Sequence, residues 1–223
     1  MKIAEGIYQV DGVNCNVYLV EDGEKLILID TGLPRSANKI EKYIEGLGRK
    51  PADVSTIVIT HFHIDHVGSL KNMKELTNAQ VAVHEADADY VAGTKSPPKP
   101  KNLMFRALGA VVKAAPVEPD VRLKEGDKIG RLTVIHTPGH SEGSISLLGS
   151  ERKVMFVGDA VRFMDGKLEG PPPHFTPDMD KAIDSIGKIS TFDFDIMLSG
   201  HGQPLTSDAS KKVKEFYATL KQK

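Results

Sequence analysis

The stretch that decides the fold of this chain is His61-Phe62-His63-Ile64-Asp65-His66, which places four metal-capable side chains within six residues. An apolar run over residues 54–60 leads directly into it. Crowded imidazoles are costly to bury unless something pairs with their lone pairs. Neutral imidazole and carboxylate are the ligands of zinc, iron and manganese. In an extended turn His61 and His63 face the same way, whereas the adjacent Asp65 and His66 point differently. This spacing favours two neighbouring metals over one.

Composition narrows the classes of protein that this chain can be. Its 223 residues predict one domain over residues 1–223, and 40% apolar and 26% charged residues are typical of a soluble globular protein. A formal net charge of -1 gives no reason to expect nucleic acid or an anionic membrane as partner, and the apolar runs are too short to span a bilayer. No secretory signal is evident, and Cys15 is the only cysteine, so we expect a cytoplasmic protein.

Polar residues fall where predicted strands end. Asp30, His61, Asp159 and His201 each directly follow an apolar strand-like run, and His140 follows one after a short turn. If these strands lie side by side, their ends bring ligands from distant parts of the chain to one edge, held on rigid elements. Between the strands, helical spacing predicts helices that include residues 36–47, 70–76, 179–189 and 207–220.

One segment interrupts this alternation. Residues 94–101 are rich in proline and lysine, and residues 102–115 then have the apolar stripe of a helix. We predict a helical, lid-like insertion near residues 94–117. A lid over the metals and a homodimer contact through this helix are its two functional interpretations.

These motifs resemble those of the metallo-β-lactamase superfamily. The resemblance lies in five regions that cover nearly the whole chain: Ile29-Asp30-Thr31-Gly32, Thr60 through His66, Thr137-Pro138-Gly139-His140, Gly158-Asp159 and Ser199-Gly200-His201-Gly202. Within the superfamily the chain is most similar to the glyoxalase II-like hydrolases. The resemblance implies an α/β (α+β) fold, a four-layer αβ/βα sandwich with the metals at one edge of two sheets.

The resemblance also implies a ligand set and cofactors. The first metal would be bound by His61, His63 and His140. The second would be bound by Asp65, His66 and His201. Asp159 would bridge them, and Asp30 would orient ligands from behind. The expected cofactors are two divalent metal ions, zinc first, with iron or manganese as alternatives.

Departures from the family pattern narrow the expected activity. β-Lactamases of the superfamily usually lack an aspartate at the position of Asp159, and flavodiiron relatives have glutamate where His63 stands. The glutathione-holding helical domain of glyoxalase II has no counterpart after His201. Lactone hydrolases of the group often have a tyrosine where this chain has Arg162, which weakens that assignment.

We therefore expect a dinuclear hydrolase in which a metal-bridging hydroxide attacks the carbonyl of a small-molecule thioester, lactone or activated ester. Asp65 and Asp159 are the catalytic candidates. Arg162 and His174 are candidates for substrate contact, although an ion pair and a loop position explain them equally well. The alternatives are a mononuclear iron sulfur dioxygenase and, with less support, a nuclease or a dedicated β-lactamase.

Overall fold

Apolar runs of the chain form the strands of two main sheets, each within its own compact unit. A computed structural model describes residues 1–97 and 114–221. Its contacts divide the chain into an N-terminal unit, Met1–Leu123, and a C-terminal unit, Lys124–Lys223. Residues 98–113, which include most of the predicted insertion, lie outside the described residues. The single-domain prediction stays a prediction.

The N-terminal unit is built on a seven-stranded sheet whose strands lie in the order in which they occur in the chain. Neighbours are antiparallel from β1 to β4 and parallel from β4 to β7. Parallel neighbours need crossover connections, which helices supply here. The strands are β1 (Lys2–Ala4), β2 (Ile7–Gln9), β3 (Tyr18–Asp22), β4 (Lys25–Ile29), β5 (Val54–Ile59), β6 (Gln80–His84) and β7 (Val121–Leu123). The helices are α1 (Ala37–Gly46), α2 (Ile64–Val67), α3 (Leu70–Thr77) and α4 (Glu85–Val91), with a 3₁₀ turn over Pro51–Asp53.

Helix α1 shows how the sequence sets these elements. Ile40 and Ile44 are fully buried, and they share one core cluster with Leu28 of β4 and Ile57 of β5. The helix stops because Gly48 takes a left-handed backbone, φ 73°. The N–H groups of residues 48 and 49 then donate to the carbonyls of residues 45 and 44, at 2.9 and 3.2 Å. This is the Schellman arrangement that glycine favours.

The C-terminal unit has a five-stranded sheet in the order β14-β11-β10-β9-β8 and a separate two-stranded ribbon, β12-β13. Strands β11 and β14 are parallel, and the other neighbours in the main sheet are antiparallel. The strands are β8 (Lys128–Ile129), β9 (Leu132–His136), β10 (Ile145–Gly149), β11 (Val154–Gly158), β12 (Arg162–Met164), β13 (Lys167–Glu169) and β14 (Ile196–Ser199). The helices are α5 (Met179–Ile189) and α6 (Ala209–Leu220), with 3₁₀ turns over Ser150–Arg152 and Pro173–Phe175.

Buried apolar faces hold these helices in the unit. Ile186 and Ile189 of α5 and Val213 of α6 lie in one cluster with Met155 of β11 and Met197 of β14. Each such side chain contributes about 1.5–3 kcal/mol when removed from water. Among the described residues, no helix has both the length and the apolar character that crossing a bilayer requires.

Candidate metal site

In the N-terminal unit the candidate residues follow the carboxyl ends of parallel strands. Strand β4 runs into Asp30, and its parallel neighbour β5 runs into Thr60 and His61. Ligands of α/β sheets commonly bind at this edge. The turn after His63 is helical, since the N–H groups of His66 and Val67 donate to the His63 carbonyl at 2.9 and 3.0 Å. Asp65 and His66 therefore lie on α2, a single helical turn whose form the sequence did not predict.

Asp30 organises this cluster from beneath. Its Oδ1 accepts from the Thr60 N–H, and its Oδ2 accepts from the Thr60 hydroxyl and from His66 Nδ1, each at 2.8 Å. The backbone N–H and hydroxyl of Thr31 both donate to the His66 carbonyl, also at 2.8 Å. Asp30 is buried and orients the His66 ring, whereas Thr31 holds the His66 backbone. The supporting role that the resemblance implied for Asp30 stays a prediction.

These hydrogen bonds determine which nitrogen of two imidazoles carries the lone pair. Asp30 can only accept from His66, so His66 carries its proton on Nδ1. The Thr60 hydroxyl proton points to Asp30, so the Thr60 oxygen, 3.1 Å from His61 Nδ1, accepts from that ring. Both rings then present the lone pair on Nε2, which is the form in which a neutral imidazole binds metal.

His63 and Asp65 complete the N-terminal cluster. The rings of His61 and His63 lie 4.7 Å apart between centroids, and those of His61 and His66 lie 4.0 Å apart. Burial lowers the pKa of His63 to about 4, against a smaller opposing effect of Asp65, so the ring is neutral at pH 7. Asp65 Oδ2 is 3.8 Å from His66 Nε2.

In the C-terminal unit the candidate residues also follow strands. His140 comes after β9, Asp159 after β11 and His201 after β14. His140 is oriented by Thr176: the Thr176 hydroxyl donates to the Pro172 carbonyl at 2.8 Å, and its oxygen lies 3.1 Å from His140 Nδ1. The same reasoning places the lone pair of His140 on Nε2. Gly139, at φ 131°, has no room for a Cβ because the Ala182 backbone of α5 lies there.

The distances from Asp159 to two imidazoles fit those between ligands of one metal. Its Oδ2 lies 3.5 Å from His140 Nε2 and 3.6 Å from His201 Nε2. Hydrogen bonds at such lengths are weak or absent. Two ligand atoms bound at about 2.1 Å to a tetrahedral metal lie about 3.4 Å apart. The donor set therefore fits a metal between Asp159 and each of the two imidazoles.

The two candidates for substrate contact lie in the C-terminal unit. Arg162, on β12, forms an ion pair with Glu169 across the ribbon at 2.9 Å, which supports the structural interpretation of this residue. His174 is exposed in the 3₁₀ turn over Pro173–Phe175. Neither residue is bonded to a candidate ligand of its own unit in the contacts described above.

Sequence reasoning missed the residues that hold the ligands in place. Thr60 was within the quoted motif, and its position directly before His61 was the available signal. Thr176 is 36 positions from His140, so no local spacing indicates their contact. The buried carboxylate of Asp87 accepts from the Phe62 N–H at 3.1 Å and fixes the backbone between the first two histidines.

Comparison with known proteins shows which family and which solved structures this chain resembles. The model of the metallo-β-lactamase superfamily matches residues 10–201. The probable metallo-hydrolase YflN of Bacillus subtilis is 29% identical over 92% of this chain and 87% of its own. The acyl-coenzyme A thioesterase MBLAC2 of Gallus gallus is 35% identical over 74% of this chain, which spans 63% of that protein. The solved structure of BJP-1, a subclass B3 metallo-β-lactamase of Bradyrhizobium japonicum, is 27% identical with a TM-score of 0.75, over 100% of this chain and 90% of that one.

The family model and the relatives thus indicate a metallo-hydrolase of mixed α/β architecture with candidate metal-binding His and Asp side chains. The chain belongs to the metallo-β-lactamase superfamily. The family and the fold class predicted from the motifs are confirmed.

Proposed function

We propose that this protein is a dinuclear metal-dependent hydrolase of activated carbonyl compounds, with acyl thioesters as the preferred substrate class. Lactones and activated esters are the other activated carbonyl compounds that are candidate substrates. The observation that carries the proposal is the position of Asp159, one oxygen of which lies at ligand-to-ligand distance from both His140 and His201. A single carboxylate oxygen shared in this way supports a bridge between two metals.

The proposed ligands come from both clusters, and the family model, which spans both, supports joining them. The first metal is bound by His61, His63 and His140, the second by Asp65, His66 and His201, and both by Asp159. Imidazole and carboxylate without cysteine suit zinc, iron or manganese, and we propose zinc. When bound, two such ions supply a hydroxide at neutral pH and polarise the substrate carbonyl.

The chain's own residues position the reaction. Asp65, whose side chain is 30% exposed, would accept a hydrogen bond from the nucleophile and orient it. Asp30 and Thr176 hold their imidazoles in the tautomer that binds metal. No serine or cysteine nucleophile is required for this chemistry. The similarity to an acyl-coenzyme A thioesterase favours thioesters over the other carbonyl substrates.

Replacement of Asp159 tests this proposal. Wild-type protein should contain two divalent metals by mass spectrometry and hydrolyse thioesters in a panel with a lactone, a phosphotriester and a β-lactam. Asp159→Ala should lose bound metal and abolish hydrolysis while the circular dichroism spectrum stays unchanged. Asp180→Ala, which removes an exposed carboxylate of α5, is the matched control and should behave as wild type.

Three results would count against it. Unchanged metal content in Asp159→Ala contradicts the bridge. A single iron with thiol-dependent oxygen uptake would indicate the sulfur dioxygenase instead. Hydrolysis of the β-lactam alone would indicate a dedicated β-lactamase.

Partners and location complete the proposal. We propose a small-molecule substrate, no nucleic-acid or membrane partner, and a cytoplasmic location. The net charge of -1 supports the absence of a nucleic-acid or membrane partner, and the single cysteine, Cys15, suits a reducing compartment. The predicted homodimer contact lies in the predicted helix over residues 102–115, most of which is outside the described part of the chain, and the oligomeric state in solution tests it.

A further inference from the structure

The hydroxyl group of Thr60 links three groups of the N-terminal cluster. Its Oγ1 lies 2.8 Å from Asp30 Oδ2, 3.1 Å from His61 Nδ1 and 3.5 Å from His66 Nδ1. Thr60 is 2% exposed and Asp30 is 1% exposed, so water does not weaken these bonds.

The two imidazoles depend on this hydroxyl to different degrees. His66 bonds the Asp30 carboxylate directly at 2.8 Å, and its distance from the Thr60 oxygen is at the limit for a hydrogen bond. His61 is linked to Asp30 through Thr60, because the hydroxyl accepts from His61 and donates to the carboxylate. Removal of the Thr60 hydroxyl therefore breaks the hydrogen-bonded connection between Asp30 and His61. It leaves the direct hydrogen bond between Asp30 and His66 in place.

We propose that Thr60 is a positioning residue that sets the affinity of the first metal alone, by extending the influence of Asp30 to His61. A hydroxyl that donates to a carboxylate is a stronger acceptor, since hydrogen bonds in a chain polarise one another. A stronger acceptor at Nδ1 fixes the ring and makes Nε2 a more basic ligand. The inference rests on the proposed function, because it requires His61 and His66 to serve different metals.

Thr60→Val is the test variant, because it keeps the branched shape and removes the hydroxyl. Thr60→Ser restores the hydroxyl. Thr77→Val is the matched control, since Thr77 is also buried and its hydroxyl donates to the Met73 carbonyl in α3, away from the candidate ligands. All variants are studied as the full-length protein loaded with zinc.

Two measurements are compared across these variants. Competition with a chromophoric chelator gives the stepwise zinc affinities. Long-range ¹H–¹⁵N NMR of the imidazoles gives the exchange rate of the His61 Nδ1 proton. In Thr60→Val we expect one zinc affinity to fall about 10-fold and the other to change less than about 2-fold. The His61 Nδ1 proton should exchange faster, Thr60→Ser should restore both properties, and Thr77→Val should change neither.

Several outcomes overturn this inference. Equal losses of zinc affinity at both sites in Thr60→Val would show that Thr60 does not act on the first metal alone. An unchanged exchange rate of the His61 Nδ1 proton would show that Thr60 does not connect His61 to Asp30. Failure of Thr60→Ser to rescue has the same consequence. If Thr60→Val does not fold, the wild-type spectrum after zinc removal decides, because a His61 ring protonated on Nε2 contradicts the proposal. Wild-type protein that binds one zinc ion contradicts the proposed function, whereas the NMR result still tests the contact itself.

Discussion

Asp30 has a left-handed backbone, with φ 60°, although it is not glycine. Such a conformation costs about 1–3 kcal/mol for most residues, and aspartate tolerates it better than residues without a short polar side chain. The cost is offset by the hydrogen bonds of its carboxylate, which are made to Thr60 and His66. The backbone conformation of Asp30 thus directs the carboxylate that orients His66, a candidate metal ligand.

Two substitutions at Asp30 separate its backbone role from its charge. Asparagine tolerates the left-handed conformation and lacks the charge, so Asp30→Asn should weaken zinc binding about 10–100-fold at both sites. Its metal-free stability should also fall, because an amide has one acceptor oxygen where the carboxylate has two that accept from Thr60 and His66. Asp30→Ala should lose, in addition, about 1–2 kcal/mol in urea unfolding of the metal-free protein, because alanine pays for the left-handed backbone. Asp30→Asn that binds zinc as tightly as wild type does would contradict this role.

At the scale of secondary-structure elements, the end of helix α1 contains two glycines that differ in backbone conformation but not in steric surroundings. Gly46 lies in the last turn of the helix, and Gly48 lies beyond it with φ 73°. Both are exposed, and a Cβ at either position meets nothing within 4 Å. Steric contacts therefore cannot explain a difference between them, and only backbone conformation remains.

Alanine at these two positions should change stability in opposite directions. Gly46→Ala should raise the free energy of unfolding by about 0.5–1 kcal/mol, because alanine loses less conformational entropy in a helix. Gly48→Ala should lower it by about 1 kcal/mol, because alanine is disfavoured in the left-handed region. Urea unfolding measures both, and zinc content should be unchanged in each. Destabilisation by both substitutions would show that the end of the helix is not set by this conformation.

The same scale shows what the sequence could predict. Helix α5 was predicted with its observed bounds, since apolar periodicity over several turns is readable. Strands β1, β7, β8, β12 and β13 were missed because each has only two or three residues, too few for a period. The candidate ligands could be found because they directly follow strands or form a dense motif. Thr176, which orients His140, could not, because a tertiary contact across 36 positions brings it there.

At the scale of the whole molecule, each unit contains a carboxylate whose native contacts favour its charged form. Burial alone would raise the pKa of Asp120, but hydrogen bonds from Lys74 and the Val81 N–H outweigh this and hold the pKa below its usual value. In the C-terminal unit, burial likewise opposes the hydrogen bonds from Lys188 and the His136 N–H, which lower the pKa of Glu125.

Acid should therefore destabilise both units. A depressed native pKa contributes stability that is present above the unfolded pKa, about 3.9 for aspartate and 4.3 for glutamate, and is lost as the pH falls through the native value. Urea unfolding at pH 7, 5, 4 and 3 should show the free energy falling mainly below pH 5. The double variant Asp120→Asn, Glu125→Gln should be less stable at pH 7 and less sensitive to acid, whereas Asp180→Asn should follow wild type. Equal acid sensitivity in the double variant would contradict this account.

The chain order of the seven-stranded sheet has a consequence for how the protein folds during its synthesis on the ribosome. Each strand from β2 to β7 pairs with the strand made just before it, so the sheet needs no partner from later in the chain. Loop closure between successive strands costs little entropy compared with distant pairing. At about 5–20 residues per second, the C-terminal unit takes of the order of 5–20 s to emerge. That interval is long enough for the first sheet to form, so the His61–His66 stretch can fold before the whole C-terminal unit has emerged.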